Sequence, residues 1–198
     1  MNEVNKILVD IHTHHPRPDV VSPRMAGIHP WDAERELALP DFTECDIIGE
    51  TGLDYAHPIS KTLQKELFCK HLDIAQTLGK PIVLHVVRAM EDVLKIIDHY
   101  KEIKGVVFHG FIGSKEQAEA ALRRGYYLSF GHRTRHSPKS IEALRAVPLN
   151  RIFVETDESD QTIVEMYEEI AALKGVTTDE LLAATNENYK TIFEREQI

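Results

Sequence analysis

The sequence predicts an α/β protein with a TIM-type barrel that is incomplete or distorted and has seven strands instead of eight. The first observation behind this prediction is an alternation of short apolar runs with longer segments of helical period, which is typical of parallel β/α proteins. The second is that a histidine or a carboxylate follows nearly every apolar run. A barrel brings the ends of its strands to one mouth, where such side chains can hold metal ions.

Seven apolar runs are predicted to be strands. They cover residues 7–11, 24–28, 45–50, 81–86, 105–109, 126–130 and 151–155. The clearest helix follows the third run, because apolar side chains recur there with helical spacing between Ser60 and a stop at Gly79. Ser114 with Gln117 forms a capping-box pattern that predicts another helix start. Residues 15–24 are too short and proline-rich to hold a crossover helix, so the first two strands are joined irregularly.

The composition is that of an ordinary globular protein, and a single domain over residues 1–198 is predicted. The formal net charge of −9 predicts a surface that repels phosphate backbones. The two cysteines lie in apolar surroundings and are interpreted as reduced core residues. A strand begins too early to leave room for a signal peptide, and no apolar run is long enough to cross a membrane, so a cytoplasmic protein is expected.

Paired ligand-type residues stand at the first and last apolar runs. His12 and His14 are two residues apart after a run that includes Asp10, so their side chains share one face of a strand and can chelate one ion. Asp157 and Glu155 share a face by the same rule, and Asp157 lies nearer the predicted mouth. We therefore predict Asp157 to be a metal ligand and the general base, and Glu155 to orient a histidine.

Three more candidate ligands follow the middle runs. Glu50 comes after buried strand residues, where a carboxylate must be paired, hydrogen-bonded or bound to metal. A salt bridge with an arginine is the alternative for Glu50. His85 and His109 end two successive runs at the same relative position. A single histidine there is more often a core residue, but the repetition between Glu50 and Asp157 predicts a ligand set.

Side chains at other strand ends are candidates for contact with substrate. His29 ends the second run and is interpreted as lining the pocket, with metal ligation as the less favoured alternative. Arg88 is the obvious cation for an anionic group, although an exposed surface arginine is an equally compatible interpretation. Phe111 and Trp31 also follow strand ends and could touch substrate.

Taken together, these residues resemble the TatD family of metal-dependent hydrolases, within the amidohydrolase-like barrels. The resemblance covers almost the whole chain, and the order and spacing of its motifs are specific. The matching stretches are Asp10-Ile-His12-Thr-His14, Gly27-Ile-His29-Pro30, Ile48-Gly-Glu50-Thr-Gly52-Leu-Asp54-Tyr55, Pro81-Ile-Val-Leu-His85, Phe108-His109-Gly-Phe111 and Glu155-Thr-Asp157.

The resemblance implies a barrel with two divalent cations at its mouth. The ligands would be His12, His14 and Asp157 for one ion, His85 and His109 for the other, and Glu50 as a bridge. Zn²⁺, Mg²⁺, Mn²⁺ or a similar ion could serve, and the identity is left open. Known members include magnesium-dependent DNases, so the resemblance implies hydrolysis of phosphoester bonds by a metal-activated water, as in a DNase or a small-nucleotide phosphodiesterase.

The sequence departs from the family pattern around the substrate opening. A strand and two helices are missing between the His-x-His run and the Gly-x-His-Pro run, which predicts an opened barrel. The family's arginine two residues after the histidine that corresponds to His85 is Val87 here, with Arg88 one place later. Trp31 replaces a histidine often found after His-Pro. Residues 158–160 replace a long substrate loop after Asp157. With the net charge, this loss favours a small-molecule or single-stranded nucleic-acid substrate over duplex DNA.

Other functions fit parts of the pattern. A phosphatase of the polymerase-and-histidinol-phosphatase type opens with a similar His-x-His, but Ser159 stands where such enzymes carry a late histidine. An amide or lactone hydrolase could use the same ligands, since an activated water attacks carbonyl carbon as well as phosphorus. A metal-binding protein without catalysis is a third interpretation. A barrel edge exposed by the missing strand could be covered by a second copy, so a homo-oligomer is a further expectation.

Overall fold

The computed structural model describes residues 7–193, which group into two compact units. We call residues 24–108 the central unit, and the described residues 7–23 and 109–193 the terminal unit. Parallel strands alternate with helices in both, so the predicted α/β class is confirmed. A single domain over residues 1–198 remains a prediction.

Four parallel strands, paired in chain order, form the centre of the central unit. They are β1 (Met25–Ala26), β2 (Ile47–Asp54), β3 (Ile82–Val87) and β4 (Val106–Phe108). Helix α1 (Lys61–Leu78) connects β2 to β3, and helix α2 (Met90–Ile97) connects β3 to β4. Ile47, Ile82 and Leu84 are completely buried. The sequences of these strands are apolar over most of their length, as expected for a parallel sheet that is covered on both faces.

Strand β2 contains a bulge close to a predicted ligand. Its pairing with β3 shifts between Ile48 and Thr51, so that β2 carries one residue more than its neighbour over this stretch. A bulge of this kind bends the strand and re-aims the side chains within it. Beyond the bulge the strand continues to Asp54, and Glu50 therefore lies inside the strand rather than at the end predicted for residues 45–50.

The terminal unit contains two parallel strands and four helices. The strands are β5 (Tyr127–Phe130) and β6 (Ile152–Val154), and the helices are α3 (Lys115–Leu122), α4 (Pro138–Ala146), α5 (Ile163–Lys174) and α6 (Thr178–Phe193). Asn188 on α6 donates hydrogen bonds to the carbonyls of Leu149 and Ile152, both at 2.9 Å. This buried amide fastens the last helix to the start of β6.

The prediction of seven strands is wrong for the described residues 7–193, which contain six. The predicted strand 7–11 forms an isolated parallel bridge between Val9 and Val21 and one backbone hydrogen bond from Ile11 N to Val154 O at 3.2 Å, but no ladder. Proline has no backbone N–H to donate, and three prolines in residues 15–24 prevent a longer ladder on this side. The same link contains no helix, as its length and prolines predict.

Helix ends in the structure follow the capping signals in the sequence. Ser60 caps α1, and Gly79 ends it with a left-handed φ of 61°. Ser114 and Gln117 form the predicted capping box at the start of α3. Among residues 7–193, none of the helices is both long enough and apolar enough to span a membrane.

Candidate metal centre

Three ligand-type side chains of the terminal unit converge, and we call His12, His14 and Asp157 the terminal cluster. Asp157 Oδ1 lies 3.4 Å from His12 Nε2 and 3.5 Å from His14 Nε2. His12 is buried, whereas about half of the His14 side chain is exposed. One ligand atom from each residue lies within 4.8 Å of the others, so one ion could contact all three.

The backbone holds Asp157 in an unusual conformation. Its φ of 54° lies in the left-handed region, which costs a non-glycine residue about 1–3 kcal/mol. Asp157 N donates to His12 O at 3.0 Å, and His14 N donates to Asp157 O at 3.1 Å. These two hydrogen bonds form the parallel bridge between Thr13 and Asp157. The carboxylate is thereby fixed opposite both imidazoles, and strain of this kind is typical of functional sites.

His109 lies beside the terminal cluster and has its own carboxylate partner. Its ring centroid is 4.2 Å from that of His12, and its Nδ1 is 3.4 Å from Oε1 of the buried Glu155. Two glycines make room for Glu155. A Cβ at Gly131 would lie 3.0 Å from the Glu155 carbonyl, and one at Gly110 would lie 3.3 Å from Glu155 Oε1. Sequence reasoning identified the carboxylate but missed both glycines.

A second buried carboxylate, Asp10, ties the segment before His12 to the segment before Asp157. Its Oδ1 accepts from Thr156 N at 3.0 Å, and its Oδ2 accepts from the Thr156 hydroxyl at 2.6 Å. Burial is the largest influence on this group and raises its pKa to about 6, although both hydrogen bonds from Thr156 act in the opposite direction. Through these two hydrogen bonds Asp10 links the backbone segments that carry the terminal cluster.

The central unit gathers a second set of ligand-type side chains, His29, Glu50 and His85, which we call the central cluster. Glu50 Oε1 lies 3.0 Å from His29 Nε2 and 2.9 Å from His85 Nδ1. One ligand atom from each residue again lies within 4.8 Å of the others. His29 Nδ1 accepts from Trp31 N at 3.2 Å, which turns Nε2 toward Glu50. The sequence predicted His29 to line the pocket; the structure places it among potential ligands.

Asp54, at the end of β2, was missed as a functional residue. Its Oδ2 lies 3.2 Å from His85 Nε2 and accepts from Trp31 Nε1 at 2.7 Å. Burial acts to raise the pKa of this carboxyl, but hydrogen bonds from Trp31 and Ala56 N and the contact with His85 outweigh it and hold the pKa below its usual value. An ionised Asp54 orients the His85 ring so that Nδ1 faces Glu50. The only sequence signal was its place in a family motif.

Arg88 and Phe111, both predicted to contact substrate, have different environments. Arg88 directly follows β3, is exposed and has a left-handed φ of 53°. Phe111 is buried, with its ring centroid 5.9 Å from that of Phe130. Both substrate roles remain predictions.

The donor sets of both clusters fit a divalent cation. Each offers two imidazoles and one carboxylate, ligands that suit Zn²⁺, Mn²⁺ and Fe²⁺ and can accept Mg²⁺ less tightly. Imidazoles that bind metal commonly donate their other ring nitrogen to a carboxylate. Asp54 stands in that relation to His85, and Glu155 stands in it to His109. One imidazole of the central cluster and one beside the terminal cluster therefore have such a carboxylate partner.

Comparisons with known proteins identify a family. A family model described as TatD related DNase matches residues 11–194. The metal-dependent hydrolase YcfH of Escherichia coli is 34% identical over 192 residues, which cover 84% of this chain and 72% of that protein. The 3′-5′ ssDNA/RNA exonuclease TatD of Salmonella typhimurium is 29% identical over 199 residues, which cover 85% of this chain and 76% of that enzyme.

Solved structures show the same fold. The crystal structure of YjjV, a TatD homologue from Escherichia coli, matches with a TM-score of 0.76 at 20% sequence identity. The match covers 96% of this chain and 87% of that one. At this identity the likeness concerns the fold alone.

Proposed function

Because the chain belongs to the TatD-related DNase family of metal-dependent hydrolases, we propose that it hydrolyses phosphodiester bonds in nucleotides or short single-stranded nucleic acids with the help of divalent cations. The observation that carries this proposal is the terminal cluster, in which two imidazoles face a carboxylate held by its backbone. The name of the Salmonella relative, an exonuclease on single-stranded DNA and RNA, supports the substrate class.

The proposed metal ligands are those of the family resemblance. They are His12, His14, Glu50, His85, His109 and Asp157. His29 joins them as a candidate, because its Nε2 lies as close to Glu50 as the His85 ring does. The number of ions and the bridging role of Glu50 remain predictions, and so do the substrate contacts of Arg88 and Phe111.

Each side chain has a proposed task in the reaction. Bound divalent cations would polarise the phosphoryl oxygens and lower the pKa of an attacking water. Asp157 is the proposed general base, because its fixed carboxylate can accept the proton that the water loses. Asp54 and Glu155 are positioning residues, which hold the His85 and His109 rings in one orientation. Glu50 would supply negative charge between the imidazoles of the central cluster.

The charge of the protein supports a small substrate. With a net charge of −9, the surface offers little general attraction to the dense phosphate charge of a duplex. A nucleotide or a single strand can be bound through its bases as well as its phosphates. Family membership also favours this reaction over that of a polymerase-and-histidinol-phosphatase-type enzyme.

The test compares a short single-stranded DNA with a duplex of the same sequence and with a lactone. Protein stripped of metal should be inactive, and added Mg²⁺, Mn²⁺ or Zn²⁺ should restore cleavage of the single strand in preference to the duplex. His14→Ala should lower both metal content and cleavage by at least about tenfold, since it removes a ligand of the terminal cluster. His15→Ala is the matched control, because His15 is an exposed neighbour outside that cluster.

Two results would contradict the proposal. Lactone turnover without any cleavage of nucleic acid would favour the amide or lactone hydrolase interpretation. Retention of metal with no turnover of either substrate class would favour a metal-binding protein without catalysis.

A further inference from the structure

An exposed tryptophan borders the central cluster. Trp31 is the only tryptophan of the chain, and 46% of it is exposed. Its ring meets the His29 ring edge to face, with centroids 4.7 Å apart at an angle of 81°. A second exposed ring, that of His57, lies tilted against it at 4.2 Å and 36°. The two rings form an aromatic surface next to the proposed metal ligands.

The indole is held rigidly although it is exposed. Trp31 Nε1 donates to Asp54 Oδ2 at 2.7 Å, and Trp31 N donates to His29 Nδ1 at 3.2 Å. Pro30 begins the short 3₁₀ turn Pro30–Asp32 that carries the ring, and its fixed φ restricts this turn further. A ring fixed in this way can be contacted by a ligand with little further loss of conformational entropy.

Packing does not account for the position of this ring. A tryptophan that stabilises a core buries most of its large apolar surface, whereas nearly half of Trp31 is in contact with solvent. A hydrogen bond to Asp54 could be supplied by a smaller donor. The exposed indole face is available to a ligand, and a flat apolar ring beside ligand-type residues suits another flat ring.

Two lysines at the start of helix α1 lie near Tyr55. Lys61 Nζ is 4.4 Å from the centroid of Tyr55, which precedes His57 by two residues. Lys65 pairs with Asp92 at 2.8 Å, and Asp92 accepts a hydrogen bond from the Tyr55 hydroxyl. Lys65 is thus already paired with a carboxylate, and the exposed rings of Trp31 and His57 match the flat base of a nucleotide better than they match a simple phosphoester.

We propose that Trp31, with His57 behind it, is a stacking platform for a nucleobase and thereby selects nucleotides and single-stranded nucleic acid as substrates. This proposal rests on the proposed phosphodiesterase function. Bases in a duplex already stack on one another, so a platform of this kind favours an unpaired base. It recognises the base through its π face, which all four bases share, and should therefore show little sequence preference.

The single tryptophan permits a binding test that does not depend on activity. Metal-free protein is titrated with thymidine 5′-monophosphate, deoxyribose 5-phosphate and inorganic phosphate, and indole fluorescence is excited where nucleobases absorb little. We expect saturable quenching by the nucleotide and at least about tenfold weaker binding of the two probes without a base. Equal effects of all three probes, or no quenching at all, would overturn the proposal.

A pair of variants tests the same point in catalysis. Trp31→Phe and Trp31→Ala both lose the hydrogen bond to Asp54, but only the first keeps an aromatic ring. With an intact oligonucleotide, we expect KM of Trp31→Ala to exceed that of Trp31→Phe by about tenfold. With an oligonucleotide that lacks the terminal base, the two variants should have equal KM values. Equal KM values on the intact oligonucleotide would overturn the platform.

The outcomes separate this proposal from the one on which it rests. Cleavage of single-stranded DNA without quenching of indole fluorescence would support the phosphodiesterase function and reject the stacking platform. Quenching by the nucleotide in a protein that cleaves no phosphodiester would support base binding at Trp31 and reject the phosphodiesterase function.

Discussion

The terminal and central clusters use the same kinds of ligand but are held by different means. In the terminal cluster the main chain does the positioning, since Asp157 exchanges backbone hydrogen bonds with His12 and His14. In the central cluster side chains position side chains, since Asp54 holds His85 through a ring nitrogen and Trp31 through its indole. The two clusters should therefore respond differently when one side chain is changed.

A further difference concerns the support behind each cluster. His71 on α1 accepts a hydrogen bond from Ile28 N at 3.0 Å, just before His29, and its other ring nitrogen lies 2.8 Å from Leu67 O. The central cluster thus depends on a buried neutral imidazole. The terminal cluster depends instead on the buried carboxylate of Asp10. Protonation affects these two supports in different ways, so pH can distinguish them.

The largest effect is expected at the general base. Asp157→Asn should lower kcat on single-stranded DNA by about 10²–10⁴-fold, because an amide cannot accept the proton while the backbone geometry is kept. Asp160→Asn is the matched control, since Asp160 is exposed three residues later and belongs to neither cluster. Steady-state kinetics at saturating metal would measure both variants. Unchanged turnover in Asp157→Asn would show that Asp157 is not the general base.

A smaller effect is expected where a side chain positions a ligand. Asp54→Asn should weaken metal binding by about 10–100-fold, since it removes the carboxylate on His85 Nε2. Glu155→Gln should weaken metal binding less than Asp54→Asn does. The contact of Glu155 with His109 is longer, at 3.4 Å, and backbone hydrogen bonds position Asp157 in the neighbouring terminal cluster. Competition with a chelator would measure the affinities. Asp98→Asn, which alters a surface pair with Lys101, should leave them unchanged.

Equal losses of metal affinity in Asp54→Asn and Glu155→Gln would contradict the proposed difference between the two clusters. Such a result would mean that the backbone bridge at Asp157 does not protect the terminal unit from side-chain changes.

The smallest effect is expected from pH acting on His71. Burial is the main cause of the lowered pKa of this imidazole in the folded protein, whereas its hydrogen bond with Leu67 O acts to raise it. The unfolded chain therefore binds a proton near the ordinary value of 6.5, and the folded protein does so only at lower pH. The stability conferred by neutral His71 is therefore present above the ordinary pKa of 6.5 and is lost as the pH falls below 6.5.

Denaturant unfolding at about pH 8 and about pH 5 would measure this loss. His71→Gln should reduce the difference between the two free energies of unfolding, since glutamine does not titrate. His99→Gln removes an exposed histidine and should leave the difference unchanged. An identical pH response in the His71 and His99 variants would show that the central cluster has no acid-sensitive support.

The sequence was informative wherever a short-range rule applied. The spacing of His12 and His14 indicated a shared face, and the structure brings both within 3.5 Å of Asp157. Helix caps such as Ser60 and Ser114 depend on neighbours within one turn, and they lie where the pattern predicted them. Local geometry decides such features, so they can be predicted from residue types and spacing.

The sequence was least informative where distant segments meet. The bulge after Ile48 changes the pairing of β2 with β3, and its effect on Glu50 depends on both strands. His71 lies in the middle of helix α1, and its position in the sequence indicates only a helix residue. In the structure its Nε2 accepts a hydrogen bond from Ile28 N, next to His29. The predicted strand 7–11 has an apolar pattern, but its pairing is limited to the bridge with Val21 and one hydrogen bond to Val154.

By itself the sequence determined the α/β class and the family, and it predicted which imidazoles and carboxylates would be ligands. These follow from periodicity and from motif order, which are properties of the chain read in one dimension. Only the tertiary structure decided that His29 joins Glu50, that Asp54 orients His85, and that Trp31 stays exposed beside them. Those relations join residues from different strands and turns, and folding alone sets the distances between them.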